Sequence, residues 1–178
     1  MSRLGCFAIP ALALMLGVAP AHAVIINLDA KVHVVGGTLD QPLSIVLPAD
    51  GWLVTAIGTS GGGSFDAYSP WNANSNCNPS CVPSGTNHGW LHRYGVRIGG
   101  TIVVDPSSTW DGLAYNSPLD ALGAGMPSFF TLGATTTVEF YIPTGEPLSD
   151  NRGGISLFLT PPLDARSSTW GRIKLLYR

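Results

Sequence analysis

Thr135-Thr-Thr-Val-Glu-Phe-Tyr-Ile142 decides the fold. Its apolar side chains recur every second residue: Val138, Phe140 and Ile142 fall on one face, Glu139 and Tyr141 on the other. That period belongs to a strand with one buried face, because successive side chains leave a pleated backbone on opposite sides. The same pattern continues outward. Residues 155–160 alternate Ile155, Leu157 and Leu159 with Ser156, Phe158 and Thr160. Residues 31–35, 43–47 and 51–57 are β-rich and stop at Gly36-Gly37, Pro48 and Gly58. Residues 94–98 and 101–104 flank Gly99-Gly100, which predicts a hairpin turn. Residues 172–177 complete the series as a closing strand.

Helical periodicity hardly appears; Pro118-Leu-Asp-Ala-Leu122 offers one turn at most. About nine or ten short strands, each with one apolar face, must bury those faces against a second layer. The expected fold is all-β: a two-sheet antiparallel sandwich of the jelly-roll kind. Trp52 follows a turn, opens a strong strand and is assigned to its core. Gly61-Gly62-Gly63 reads as a flexible turn, since no helix follows to make it a phosphate cradle.

The first 23 residues read as an export signal. Arg3 supplies the positive start, Leu12-Ala-Leu-Met-Leu-Gly-Val18 is too short to span a bilayer, and Ala21-His22-Ala23 is a small-residue cleavage site. Residues 24–178 then form one domain, secreted or periplasmic, without a membrane span. Charged residues make up 11% of the chain, against about 25% on average. The formal net charge is −2 with no basic stripe, which argues against a nucleic-acid partner.

Cys6 leaves with the signal; Cys77 and Cys81 remain, and an oxidising compartment predicts a disulfide between them. Cys77-x3-Cys81 and His88-x3-His92 also have ligand-like gaps for zinc, but zinc needs reduced thiols, and the gap between the pairs is short for a finger. The cysteines lie in a long polar segment, residues 69–88, bracketed by Phe65-Asp-Ala-Tyr-Ser-Pro-Trp-Asn72 and His88-Gly-Trp-Leu-His-Arg-Tyr94. Aromatic rings beside amide and carboxylate groups suit a sugar: the ring covers its C–H face and the polar groups take its hydroxyls. Asp66, Tyr68, Trp71, Asn72 and His88 are the candidate ligand contacts. The alternative is that Trp71 and Trp90 pack over the sandwich edge while the polar residues solvate a loop.

Two stretches together resemble the calcium-dependent galactophilic lectins of bacteria. The first runs from Ala49-Asp-Gly-Trp52 through Tyr68-Ser-Pro-Trp71 to Tyr94-Gly-Val-Arg-Ile-Gly99; the second is Ser149-Asp-Asn-Arg-Gly-Gly-Ile-Ser-Leu157. The resemblance implies a small jelly roll holding galactose through calcium, with Asp150 and Asn151 as metal ligands. Pro143 and Pro147 fall where that family has Asp and Thr, which removes two side-chain oxygens; a one-residue shift brings Thr144 and Glu146 close. A plain turn is the alternative for residues 150–154. The cysteine pair and the aromatic-Pro-Trp loop are also similar to exported bacterial proteins of the Pro-Glu-Pro sorting type, although the chain ends in Lys174-Leu-Leu-Tyr-Arg178 instead of a sorting tail.

The expected function is a non-catalytic, lectin-like module binding a glycan or cell-surface polysaccharide, with no cofactor beyond that calcium. The alternatives are a structural or surface-assembly protein of the cell envelope and a polysaccharide hydrolase. Catalytic patterns are weak, because Asp66, Glu139 and the other acids are scattered and nothing in the sequence pairs two of them.

Overall fold

The strand over residues 135–142 becomes the centre of one layer. The computed structural model describes residues 23–70, 89–145 and 147–161. In it β10 (Thr136–Pro143) lies between β4 (Leu43–Leu47) and β7 (Gly95–Ile98), both antiparallel to it. Val138, Phe140 and Ile142 are fully buried, as their period requires. β8 (Thr101–Val104) follows β7 through Gly99 and Gly100, with φ of 54° and 81°. Two successive positive φ angles make the tight hairpin turn whose twist matches the flanking strands. β2 (Val34–Gly36) and β3 (Leu39–Gln41) extend the layer, giving the order β3-β2-β10-β7-β8 with β4 also on β10.

The facing layer is built on β11 (Arg152–Thr160), flanked by β1 (Val24–Asp29) and β5 (Gly51–Ile57). β9 (Ser128–Thr131) lies beyond β5, and the two-residue β6 (Tyr68–Ser69) pairs with the start of β11. Ile155, Leu157 and Leu159 meet Phe140, Val138 and Ile142 in one core with Trp52, Leu28 and Tyr94. Two layers bury each other's apolar faces, so the all-β sandwich is the observed architecture. The short α1 (Pro118–Gly123) is capped by Ser117, whose hydroxyl accepts from the Asp120 amide.

Four details differ from the sequence reading. β2 pairs with β10 in parallel, so the second sheet is mixed. Residues 31–33 form a turn, because Asp29 carbonyl oxygen accepts from the amides of Val32 and His33; the strand there starts at Val34. β1 and β9 were not anticipated as strands. Tyr141 is outward-facing yet 4% exposed: it lies over Gly95, where a Cβ would come 2.4 Å from its ring, and Arg97 sits 6.0 Å above it. Trp71, Asn72, His88, Cys77, Cys81, the export signal and the closing strand over residues 172–177 lie outside the described residues. Among the described residues, no helix is long and apolar enough to cross a membrane.

Candidate functional site: a cleft at the end of the sandwich

Thr109 sets the first wall. Its buried hydroxyl accepts from the Tyr94 amide at 3.0 Å and donates to the Tyr94 carbonyl at 2.7 Å. This ties a 3-10 turn, Pro106–Thr109, to the start of β7; Asp105 caps that turn by accepting from Ser107 N. The clamp leaves Trp110 at the rim, its indole N–H donating to Leu113 O at 2.6 Å. The Arg93 guanidinium lies 4.9 Å from the Trp110 ring centroid and donates through Nε to Pro106 O. Cation–π attraction and this hydrogen bond hold the two side chains as one unit.

The second wall is the path from β10 to β11. Pro143, Thr144, Gly145, Pro147 and Asp150 line it, the last from a 3-10 turn, Leu148–Asp150. Two prolines fix the backbone there. Gly36 supports the wall from behind: a Cβ at that position would lie 2.5 Å from the Thr144 carbonyl oxygen. Tyr68, Pro70 and Leu91 complete the lining. The cleft encloses about 360 Å³, within the range of small-molecule sites.

Burial raises the Tyr68 hydroxyl far above the usual phenol range, with Arg93 opposing in part. It is therefore a neutral hydrogen-bonding group at any physiological pH. Asp150 lines the cleft as its one carboxylate among the described residues, and its Oδ1 is buried without a hydrogen-bond partner. The lining thus combines Trp110, Arg93, Asp150 and Thr144 around one space.

Of the residues expected from sequence, Tyr68 and Asp150 are brought together here. Asp66 lies elsewhere: its Oδ1 accepts from Thr59 N at 2.7 Å and from Thr59 Oγ1 at 3.1 Å, closing the turn over residues 59–61. Asn151 is fully buried and donates through Nδ2 to Ala30 O at 2.5 Å, stapling the turn before β11 to the end of β1. Its Oδ1 has no hydrogen-bond partner. Asp150 and Asn151 therefore each keep one unpaired oxygen, but calcium takes six to eight. Among the described residues, no three His, Cys, Asp or Glu side chains cluster as a metal site. That donor set does not fit calcium, and the cleft's chemistry rests on its own side chains.

No protein-family model, curated protein or solved structure matches the chain. Arg93 and Trp110 were not singled out by sequence reasoning, and Thr144 entered it only as a shifted calcium ligand. A signal for Trp110 existed: Asp105-Pro-Ser-Ser-Thr109 has a capping Asp and a first-turn Pro, which mark a turn that sets the next side chain at a rim.

Proposed function

We propose that the protein is an exported carbohydrate-binding module without catalysis, and that the cleft between Trp110 and Asp150 takes the sugar. The observation that carries this reading is the convergence of Trp110, Arg93, Thr144 and Asp150 around one open space of about 360 Å³. A pyranose has an apolar C–H face and an equatorial rim of hydroxyls. An indole suits the first; a guanidinium donor with carboxylate and hydroxyl acceptors suits the second. Export agrees with β1, because cleavage before Val24 leaves that strand whole. A hydrolase would need a second carboxyl facing Asp150 across the bond; the described lining supplies one.

A glycan array probed with the purified protein tests the reading, followed by calorimetry on the best ligand. Trp110→Ala is expected to weaken binding about tenfold, the worth of one aromatic contact with its buried area, while the fold persists. Silence of the folded protein across galactosides, glucosides and bacterial surface glycans overturns the proposal.

An assembly role is favoured by one separate observation. The outer face of the β1-β11-β5-β9 sheet presents Ile25, Leu53 and Phe129, exposed at 39%, 40% and 56%, with Leu53 and Phe129 paired across strands. Such a face favours self-association. A concentration-dependent elution volume in size-exclusion chromatography, with no response to sugars, would select this reading instead.

A further inference from the structure

His92 lies between Leu91 and Arg93 on the extended segment that lines the cleft, but it is on the opposite side of the backbone. It is 3% exposed, and neither ring nitrogen has a hydrogen-bond partner. A buried imidazole with both nitrogens unpaired is costly and uncommon. Its ring stands edge-on to Tyr94, with centroids 6.2 Å apart. What covers it is the chain just after α1. A Cβ on Gly125 would lie 2.9 Å from His92 Nδ1 and 2.9 Å from the Ala56 Cβ, so only a glycine lets the backbone close this tightly against β5.

That cover is weakly held. α1 has six residues, too few to be stable alone. It is fixed by the Ser117 cap, by buried Ala121 and by Leu122 packed against Gly58. Leu119 on α1 and Met126 just beyond it are exposed to solvent. A segment with so few buried contacts belongs to the low-stability end of a fold.

We propose that His92 and the segment running from α1 to Gly125 form an acid-operated latch: the chain at Gly125 closes over a neutral imidazole near pH 7, and the segment, α1 included, is released when that imidazole takes a proton. Among the described residues, no charged group pairs with the ring nitrogens. The Arg93 guanidinium is held at Trp110, and the Tyr94 hydroxyl pairs with Ser128 Oγ at 2.8 Å. β5 carries no titratable residue. On α1, exposed Asp120 takes the Ser117 hydroxyl; beside Leu122, the Asp66 carboxylate is bonded to Thr59. Burial lowers the His92 pKa to about 4 from 6.5, opposed in part by its own backbone.

The sign follows from proton linkage. The closed form binds its proton only near pH 4, whereas the open form binds it near 6.5. Closure is therefore fully favoured above pH 6.5 and weakens as pH falls toward 4. Between pH 8 and pH 5 the opening equilibrium rises about 30-fold, the ratio of the two titration factors for those pKa values. The latch requires no ligand in the cleft and stands apart from the carbohydrate reading.

Hydrogen exchange of the purified protein, corrected for intrinsic pH dependence, tests it. The Ala121, Ala124 and Gly125 amides, bonded to Ser117, Asp120 and Leu122 carbonyls, report on closure. Their protection is expected to fall about 30-fold between pH 8 and pH 5, while β11 amides stay protected. In His92→Leu the fall should vanish. An NMR titration of His92 in the unaltered protein keeps the test independent of that variant's folding; it should show a midpoint well below 6. A midpoint near 6.5, protection of α1 that does not change with pH, equal loss in β11, or an unchanged slope in folded His92→Leu would each overturn the latch.

Discussion

Phe140→Ala is expected to remove about 3–5 kcal/mol of unfolding free energy. Phe140 is fully buried at the middle of β10, in register with Leu43 on one side and Val96 on the other. Its ring meets Phe130 of the opposite sheet with centroids 6.2 Å apart. Truncation removes apolar surface from both layers at once and leaves a void that a two-sheet scaffold closes only in part. A domain of this size has about 5–15 kcal/mol in total, so the variant keeps a small fraction of its stability. Urea unfolding should show a lower midpoint with an unchanged slope. A loss below about 1 kcal/mol would mean that the two sheets do not meet at this residue.

Gly153→Ala is expected to be comparably damaging for a different reason. Gly153 has φ of +72°, and an added Cβ would lie 2.4 Å from Ala67 O and 3.1 Å from the Trp90 ring. Left-handed geometry alone costs an L-residue about 1–2 kcal/mol. The collision adds to this, because Ala67 O is backbone and accepts the Gly154 amide at 3.2 Å. It cannot yield without breaking that bond. Gly99→Ala is the control: φ is +54° and nothing lies within 4 Å of the new methyl group, so it should lose only about 1 kcal/mol. Thermal unfolding of both variants isolates the steric part as their difference. Gly153 also pairs with Tyr68 in the cleft lining, so the variant should weaken ligand binding where Gly99→Ala does not. Equal losses of stability in the two variants would rule out the close approach at Ala67.

How much was legible follows from particular residues. β10 and β11 could be read because burying one face of a strand writes period two into the chain. The hairpin at Gly99-Gly100 could be read because positive φ selects glycine. β1 was harder: Val24-Ile-Ile-Asn-Leu-Asp29 abuts the export signal, and its Asn27 and Asp29 resemble loop residues. Its strand character comes from pairing along its whole length with β11, and Asn27 is occupied there by the Ser156 hydroxyl, which donates to it at 2.6 Å. Ser156 looked solvated by alternation, yet it is buried because its Oγ accepts from the Ser64 and Phe65 amides. Asp66 looked like a ligand contact because carboxylates in aromatic loops suit sugars; the turn at Thr59 uses both of its oxygens.

By itself the sequence determined the layer architecture, the inward residues of the long strands and one of the hairpin turns. Each of these depends on interactions that repeat at short, fixed intervals along the chain. Tertiary structure alone decided that Trp110, Arg93, Tyr68 and Asp150 share a cleft, and that His92 sits unpaired beneath Gly125, just past α1. Those juxtapositions join residues from distant strands and loops. Their proximity is set by how the two sheets close on one another, and no local spacing encodes that.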